Sequence, residues 1–384
     1  MKKVLIITMN RFPQGDAGAI RQEIFAKLFC ECGYAVDIIG MGESTKYSFK
    51  NFHEKIKYIS MRCEKQTIFC RIVDRLLFAV RVKRICNKRD KYDIILVVSV
   101  PYLLLQYVKK YAKINQVDIL HDSVEWYSPS EYKLKNFSLP YIINNRMNKY
   151  WINAEFKVIA ISRYLQKHFS EKGCKCIRIP FINDVLEVSP VKCVNKDKIV
   201  FIYAGSIGYK DHLKNFLFAV KELNEEERKR IKIKLFGFSK EYLIKTKNAD
   251  EALLKVLENC IEFYGKVPHK IIEDNLLKAD FSILLRNQEE RYAMAGFPTK
   301  VVESLTFATP VLCNLSSDLD LYLEDGVNSI ICPSEEIKDI FESLQRILNL
   351  SMKQRSIMQQ NARQCAIDNF DFRLYSDKLL ELIR

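Results

Sequence analysis

Ile199-Val200-Phe201-Ile202-Tyr203-Ala204-Gly205-Ser206-Ile207-Gly208 is the stretch that decides the fold. An apolar hexamer runs straight into two glycines, and residues 213–223 then follow helical periodicity. A short apolar run with no polar alternation reads as a strand buried on both faces, as in a parallel sheet covered by helices. Further runs at 231–236, 261–264, 281–285, 310–313 and 329–332 extend the pattern towards the C-terminus. Upstream, the runs at 4–8, 36–39, 56–59, 94–98, 117–120, 158–161 and 177–179 alternate with helical stretches in the same way. Two successive strand–helix series predict two doubly wound α/β domains. The polar stretch 189–197, with Pro190, is the expected boundary. The expected domains are therefore 1–188 and 189–365, with a tail helix from 366 to 384.

The chain has 384 residues, 48% of them hydrophobic and 28% charged, with 23 Phe and 19 Tyr. That composition can fill a large core and excludes disorder as the main state. The net charge of +14 is one-sided. Residues 1–180 carry 32 basic and 16 acidic side chains, and the remainder carries 29 and 31. Such a field attracts nucleic acid, anionic headgroups or anionic small molecules. No nucleic-acid recognition module is legible, so nucleic acid is not an expected partner.

The twelve cysteines are scattered without a Cys-x-x-Cys pair, which predicts reduced thiols in a cytosol. Met1-Lys2-Lys3 precedes only a brief apolar run, unlike a secretory leader. Residues 94–108 form the longest apolar stretch, and Pro101 interrupts it. It falls short of the about 20 residues a spanning helix needs. Residues 62–91 carry ten basic and three acidic residues. Ile68, Phe69, Ile72, Val73, Leu76, Leu77 and Val80 form an apolar stripe between them. The stripe reads either as a membrane-surface helix or as a packed helix with a solvated face. The expected location is cytoplasmic, peripheral at the inner face of a membrane.

In open parallel sheets ligands bind beyond the carboxyl ends of strands, so the turns there are the candidate sites. Gly15-Asp16-Ala17-Gly18 precedes the first helix and suits backbone approach to a phosphate, although a plain loop looks the same. It lacks the Gly-x-Gly-x-x-Gly spacing of dinucleotide oxidoreductases. Gly205 and Ser206 repeat the device, and Lys210 stands where a point charge can reach a diphosphate. Next, Arg286 opens the segment that ends Ala295-Gly296-Phe297-Pro298-Thr299-Lys300-Val301-Val302-Glu303. Pro298 and Thr299 read as a helix start. Glu303 suits either vicinal hydroxyls, as on a ribose, or a favourable place on the helix dipole. His121, Asp122 and Glu125 lie just past the predicted strand 117–120, and an Asp or Glu there can orient an acceptor hydroxyl. Asp318-Leu319-Asp320 and the scattered histidines His53, His168, His212 and His269 have no metal-ligand spacing, so no metal is expected.

These motifs, in this order, resemble the retaining glycosyltransferases of family four. The resemblance rests on Ala204-Gly205-Ser206-x-Gly208-x-Lys210-Asp211 and on the run from Ala295 to Leu305, followed by Thr309-Pro310-Val311. Ile159-Ala160-Ile161-Ser162 and Ile179-Pro180 extend it into the first domain. It implies the GT-B fold: two facing Rossmann-like doubly wound domains, with a C-terminal helix crossing back to the first. It also implies transfer of a sugar, with retention, from a nucleoside-diphosphate sugar to a carbohydrate acceptor that is expected to be lipid-linked. The setting would be capsule, exopolysaccharide or O-antigen assembly, and no cofactor is implied.

By the same resemblance Glu303 holds the nucleotide ribose, Lys210 contacts the diphosphate, and Gly18 approaches it from the other domain. Gly296, Phe297, Pro298 and Thr299 lie over the phosphates and donor sugar. Asp122, Glu125 and Lys210 are the expected catalytic residues. Gly18, Gly205, Ser206, Lys210, Arg286, Phe297, Glu303 and their loop neighbours are the expected donor contacts. Two positions depart from the family pattern. Ala295 replaces the first Glu of the Glu-x7-Glu motif, and Ser206 replaces an Arg. Glu290, Arg286 and Arg291 are the expected stand-ins. A catalytically silent binding partner in an assembly complex is the alternative reading.

Overall fold

Val4, Leu5, Ile6 and Ile7 are completely buried at the centre of the first sheet in the computed structural model. The structure describes residues 2–15, 17–43, 45, 48–62, 68–87, 91–191, 198–208 and 210–384. Several sequence expectations lie outside these residues: Asp16 and Tyr209 in the two turns, and 192–197 of the boundary stretch. The side chains of Ile68, Phe69, Ile72 and Leu76 lie outside them as well.

The chain divides into two compact units. The first comprises 1–126, 142–183 and 372–384, and the second comprises 127–141 and 184–371. The expected boundary was 188/189, and the tail was expected to return from 366. The segment 127–141, expected in the first domain, packs with the second unit. Its Ser128 hydroxyl accepts from the Tyr292 backbone N–H at 3.1 Å. Its Tyr127 carbonyl accepts from both Arg291 Nε and Nη2.

The first unit holds an eight-stranded sheet of β1 (Lys3–Arg11), β2 (Ala35–Gly42), β3 (Lys50–His53), β4 (Ile56–Arg62), β5 (Ile94–Val98), β6 (Asp118–Ser123), β7 (Lys157–Ala160) and β8 (Cys176–Arg178). The order is β3-β4-β2-β1-β5-β6-β7-β8. Only the β3–β4 pair is antiparallel. Val4 sits in register with Val36 on one side and Ile94 on the other, so the winding reverses between β1 and β5. The expected strand at 117–120 runs on through His121, Asp122 and Ser123, all buried within β6. These residues therefore lie in the sheet rather than beyond it. Their polarity disguised them, because their partners come from distant parts of the chain.

The second unit holds a six-stranded parallel sheet of β9 (Ile199–Ala204), β10 (Ile231–Phe236), β11 (Ile261–Gly265), β12 (Phe281–Leu284), β13 (Val311–Asn314) and β14 (Ser329–Cys332). The order β11-β10-β9-β12-β13-β14 reverses between β9 and β12. Ile199, Phe201 and Tyr203 join Phe216, Leu217 and Val220 of the helix Leu213–Glu222 in one core. Burying each such side chain stabilises by about 1.5–3 kcal/mol.

The tail was expected to be one helix over 366–384. Instead the helix Met352–Phe370 ends at Asp371, whose carboxylate accepts from the Leu186 N–H at 3.1 Å. The chain then restarts as the helix Ser376–Ile383. Phe372, Leu379 and Leu382 enter the core of the first unit, so the C-terminal helix crosses back as expected. Among the described residues, no helix is long and apolar enough to cross a membrane.

Candidate functional site

In the second unit the switch point lies between β9 and β12, where a doubly wound sheet receives ligands. β9 runs into Gly205, whose φ is 155°, and β10 into Gly237, whose φ is 103°. A Cβ on Gly237 would lie 2.2 Å from the Gly205 carbonyl oxygen. A Cβ on Gly205 would lie 2.7 Å from both Cε and Nζ of Lys300. Glycine at both places lets the strand ends and the lysine converge.

What converges is a charge cluster around Asp211. Its Oδ2 accepts from Lys300 Nζ at 2.5 Å and from the Tyr203 hydroxyl at 2.9 Å. Its Oδ1 accepts from Arg286 Nε at 3.0 Å. Burial opposes ionisation of Asp211, but Lys300 and Arg286, with the hydrogen bonds, hold its carboxyl far below the usual range. Lys300 Nζ also lies 4.1 Å from the centroid of the Tyr203 ring. Arg286 is fixed through its backbone: its N–H donates to Asn314 Oδ1 at 2.8 Å, and its carbonyl accepts from Asn314 Nδ2 at 2.5 Å. Two cations thus share one carboxylate at the strand ends. The surplus positive charge suits a phosphate-type anion.

The expected residues divide around this cluster. Arg286 and Gly205 are part of it, and Ser206 is exposed beside it. Lys210 turns elsewhere. Its ammonium pairs with Glu131 Oε1 at 2.9 Å, between the rings of Tyr127 and Tyr292. Pro298 caps the helix Thr299–Thr306, as its sequence foretold. The Phe297 side chain faces the protein interior. It is buried against Tyr322 and Phe370, with ring centroids 5.9 Å from each. Gly296 closes the short helix Arg291–Ala295, and Ala295 is fully buried. Of the expected stand-ins for the missing glutamate, Arg286 is committed to Asp211 and Arg291 to the Tyr127 carbonyl.

Glu303, with its side chain 20% exposed, accepts from His269 Nε2 at 2.7 Å through Oε1. His269 begins the helix His269–Leu276, and its Nδ1 lies 3.2 Å from Glu273 Oε1. In the sequence His269 is one of the scattered histidines without metal-ligand spacing. Nor does the sequence pattern assign a role to Lys300, or one to Asp211 beyond the motif. No spacing rule could pair His269 with Glu303, which lie 34 residues apart. Lys300 was legible only as the residue following Thr299 at a helix start.

In the first unit, Gly18 lies in the first turn of the helix Ala17–Glu31. Asp122 is buried with both oxygens on Arg21: Oδ2 to Nε at 2.8 Å and Oδ1 to Nη2 at 2.7 Å. Arg21 Nη1 donates further to the Pro180 carbonyl at 2.8 Å. Asp122 is therefore a clamp on Arg21 rather than an open acid or base. His121 is buried, and desolvation lowers its pKa to about 4, against the pull of Asp122. The Glu125 carbonyl accepts from Asn144 and Asn148, at 3.2 and 3.3 Å. Trp126 packs against His168, with centroids 4.4 Å apart. Among the described residues, no group of three His, Cys, Asp or Glu side chains could hold a metal ion.

Residues 187–365 match the family model Glycosyl transferases group 1. Solved structures of the same fold include sucrose-phosphate synthase from Thermosynechococcus elongatus, at 14% identity and a TM-score of 0.76 over 100% of this chain and 98% of that one. The Anabaena protein HepE in complex with UDP and glucose aligns at 16% identity and 0.69, over 99% of both chains. The lipopolysaccharide outer core galactosyltransferase WaaB aligns at 15% and 0.64, over 99% of both. No curated protein sequence matches the chain. The chain has the GT-B fold. The family match lies within the second unit.

Proposed function

We propose that the chain transfers a sugar from a nucleoside-diphosphate sugar to a carbohydrate acceptor, with retention, in the assembly of a surface polysaccharide. The carrying observation is the Lys300–Asp211–Arg286 cluster near the ends of β9 and β12, with Lys300 on the same helix as Glu303. Lys300 and Arg286 neutralise the departing diphosphate, the charge that develops as the glycosidic bond breaks. Asp211 orients both cations. Glu303 accepts from the ribose hydroxyls. Lys210, held by Glu131, supplies a further charge at the turn. UDP in the solved HepE structure fits a nucleotide of this kind. In the first unit, Gly18 keeps the phosphate-approach role the resemblance gives it, and Glu125 rather than Asp122 orients the acceptor hydroxyl. The retaining step needs no protein nucleophile if the acceptor attacks on the face the diphosphate leaves.

A thermal-shift panel of UDP, GDP and ADP checks the donor reading, since a ligand selective for the folded state raises the melting temperature. One nucleotide is expected to stabilise the wild type, and Glu303→Ala to reduce that shift. An unchanged shift in the variant would remove Glu303 from the site. Buried Ala295, in place of the motif's first Glu, supports a second reading, a catalytically silent partner. Tight nucleotide binding with no donor hydrolysis and no transfer to any acceptor would select it.

The acceptor is proposed to be lipid-linked, and the chain to rest on the anionic inner face of a membrane. Supporting this, Leu77 and Val80 are exposed on the helix Ile68–Asn87 near Arg81, Lys83 and Arg84. In the second unit Leu134, Leu139 and Phe137, the last 84% exposed, lie near Lys133 and Lys135. Co-sedimentation is expected with vesicles containing phosphatidylglycerol and not with phosphatidylcholine alone. Equal partition into both pellets, or into neither, would remove the anionic surface from the proposal.

A further inference from the structure

The imidazole of His269 stands between two carboxylates, with Nε2 2.7 Å from Glu303 Oε1 and Nδ1 3.2 Å from Glu273 Oε1. A ring hydrogen-bonded to one carboxylate and within ion-pair distance of a second is best satisfied when it carries both protons, so this geometry favours the imidazolium. The neutral ring can keep only one of the two bonds. We infer that His269 is a positioning residue for Glu303: its charged form pins one carboxylate oxygen and presents the other to the ribose hydroxyls. The inference rests on the reading that Glu303 holds the ribose, and it adds a proton-dependent control of that contact.

The surroundings favour the charged ring. The hydrogen bond to Glu303 raises its pKa most, burial opposes this, and Glu273 adds to the rise. Glu273 is itself anchored, with Oε2 3.3 Å from Lys270 Nζ, and Lys270 is shared with Asp274. β9, which packs beneath the helix His269–Leu276, contributes no charged side chain. On the helix Thr299–Thr306 the other charged group, Lys300, is committed to Asp211. Glu303 Oε2 has no protein partner among the described residues. A group with a raised pKa makes its contribution below that pKa and loses it as pH rises through it. Ribose recognition is thus full below the raised pKa of His269 and declines as pH rises through it.

The test compares binding of UDP with binding of its 2′,3′-dideoxy analogue by calorimetry from pH 6 to pH 9. Taking the ratio of the two dissociation constants cancels titration of the phosphates. The wild type is expected to prefer UDP by about tenfold at pH 6, the scale of one hydrogen bond to a charged group. The preference should shrink several-fold by pH 9. His269→Ala should show the small preference at every pH. His269→Lys, charged throughout, should restore part of it without the pH dependence between 6 and 8. Glu273→Gln should move the midpoint to lower pH, because one carboxylate no longer favours the proton. A wild-type ratio flat across this range, or a His269→Ala ratio that follows the wild type, overturns the inference. Glu303→Ala separates the two ideas. If it keeps the ribose preference, the ribose reading itself fails. If it loses the preference while His269→Ala keeps it, only the role of His269 fails.

Discussion

Replacing Lys300 by alanine is expected to weaken nucleoside-diphosphate binding by about 10- to 100-fold, the loss of one charge-assisted contact of about 1.5–3 kcal/mol. The effect has two parts. The ammonium that would meet the phosphates is gone. Asp211, which it neutralised at 2.5 Å, is left with Arg286 and Tyr203 alone. Burial opposes its charge and the largest favourable influence, Lys300, is gone, so the charge that Arg286 and Tyr203 still favour on Asp211 faces the phosphates without its ammonium partner. Lys210→Ala should lose less, because the Lys210 ammonium is already engaged by Glu131 at 2.9 Å. Calorimetry with UDP on both variants decides the order. A Lys300→Ala dissociation constant within twofold of wild type, or a greater loss in Lys210→Ala, would move the diphosphate contact to the turn that the sequence first indicated. Lys300→Arg is a useful companion. It keeps the charge but must fit a planar fork against Gly205, where the lysine chain already fills the space a Cβ would need.

Asp122→Ala is expected to destabilise the first unit by about 3–5 kcal/mol, because it strands a buried guanidinium. Arg21 and Asp122 are nearly inaccessible, and Arg21 also braces the Ile179 and Pro180 carbonyls. Arg21→Met combined with Asp122→Leu should recover much of the loss, since two apolar groups of similar volume leave no charge behind. Denaturant unfolding of the single and double variants measures both effects. An Asp122→Ala protein of wild-type stability but with lost transferase activity would return Asp122 to the catalytic residues. The same experiment on Glu125, which is only half-buried, should show the reverse balance: little change in stability and a fall in transfer.

The architecture was legible because its information is local. Val4 to Ile7 and Ile199 to Tyr203 are continuous apolar runs, and only a strand covered on both faces uses such runs. Pro298 before Thr299 marks a helix start through its fixed φ and missing N–H, with no help from the rest of the chain. The reversal of strand order followed from two successive strand–helix series. Residues that are polar yet buried escaped this reading. His121, Asp122 and Ser123 look like a turn, and they become strand only because Arg21, 101 residues from Asp122, supplies the missing charge.

The site shows the same division more sharply. The sequence by itself determined two wound sheets, the turns after β9 and β12, and a glutamate on the helix that follows. Tertiary structure alone decided that Asp211 gathers Lys300 across 89 positions and Arg286 across 75, and that Glu303 takes His269 as its partner. It also decided that Phe297 turns into the core and that 127–141 packs with the second unit. Periodicity and backbone sterics act between neighbours, so a one-dimensional string records them. Pairing of charges depends on which strand ends the sheet order brings within about 3 Å, and side-chain type does not encode that distance.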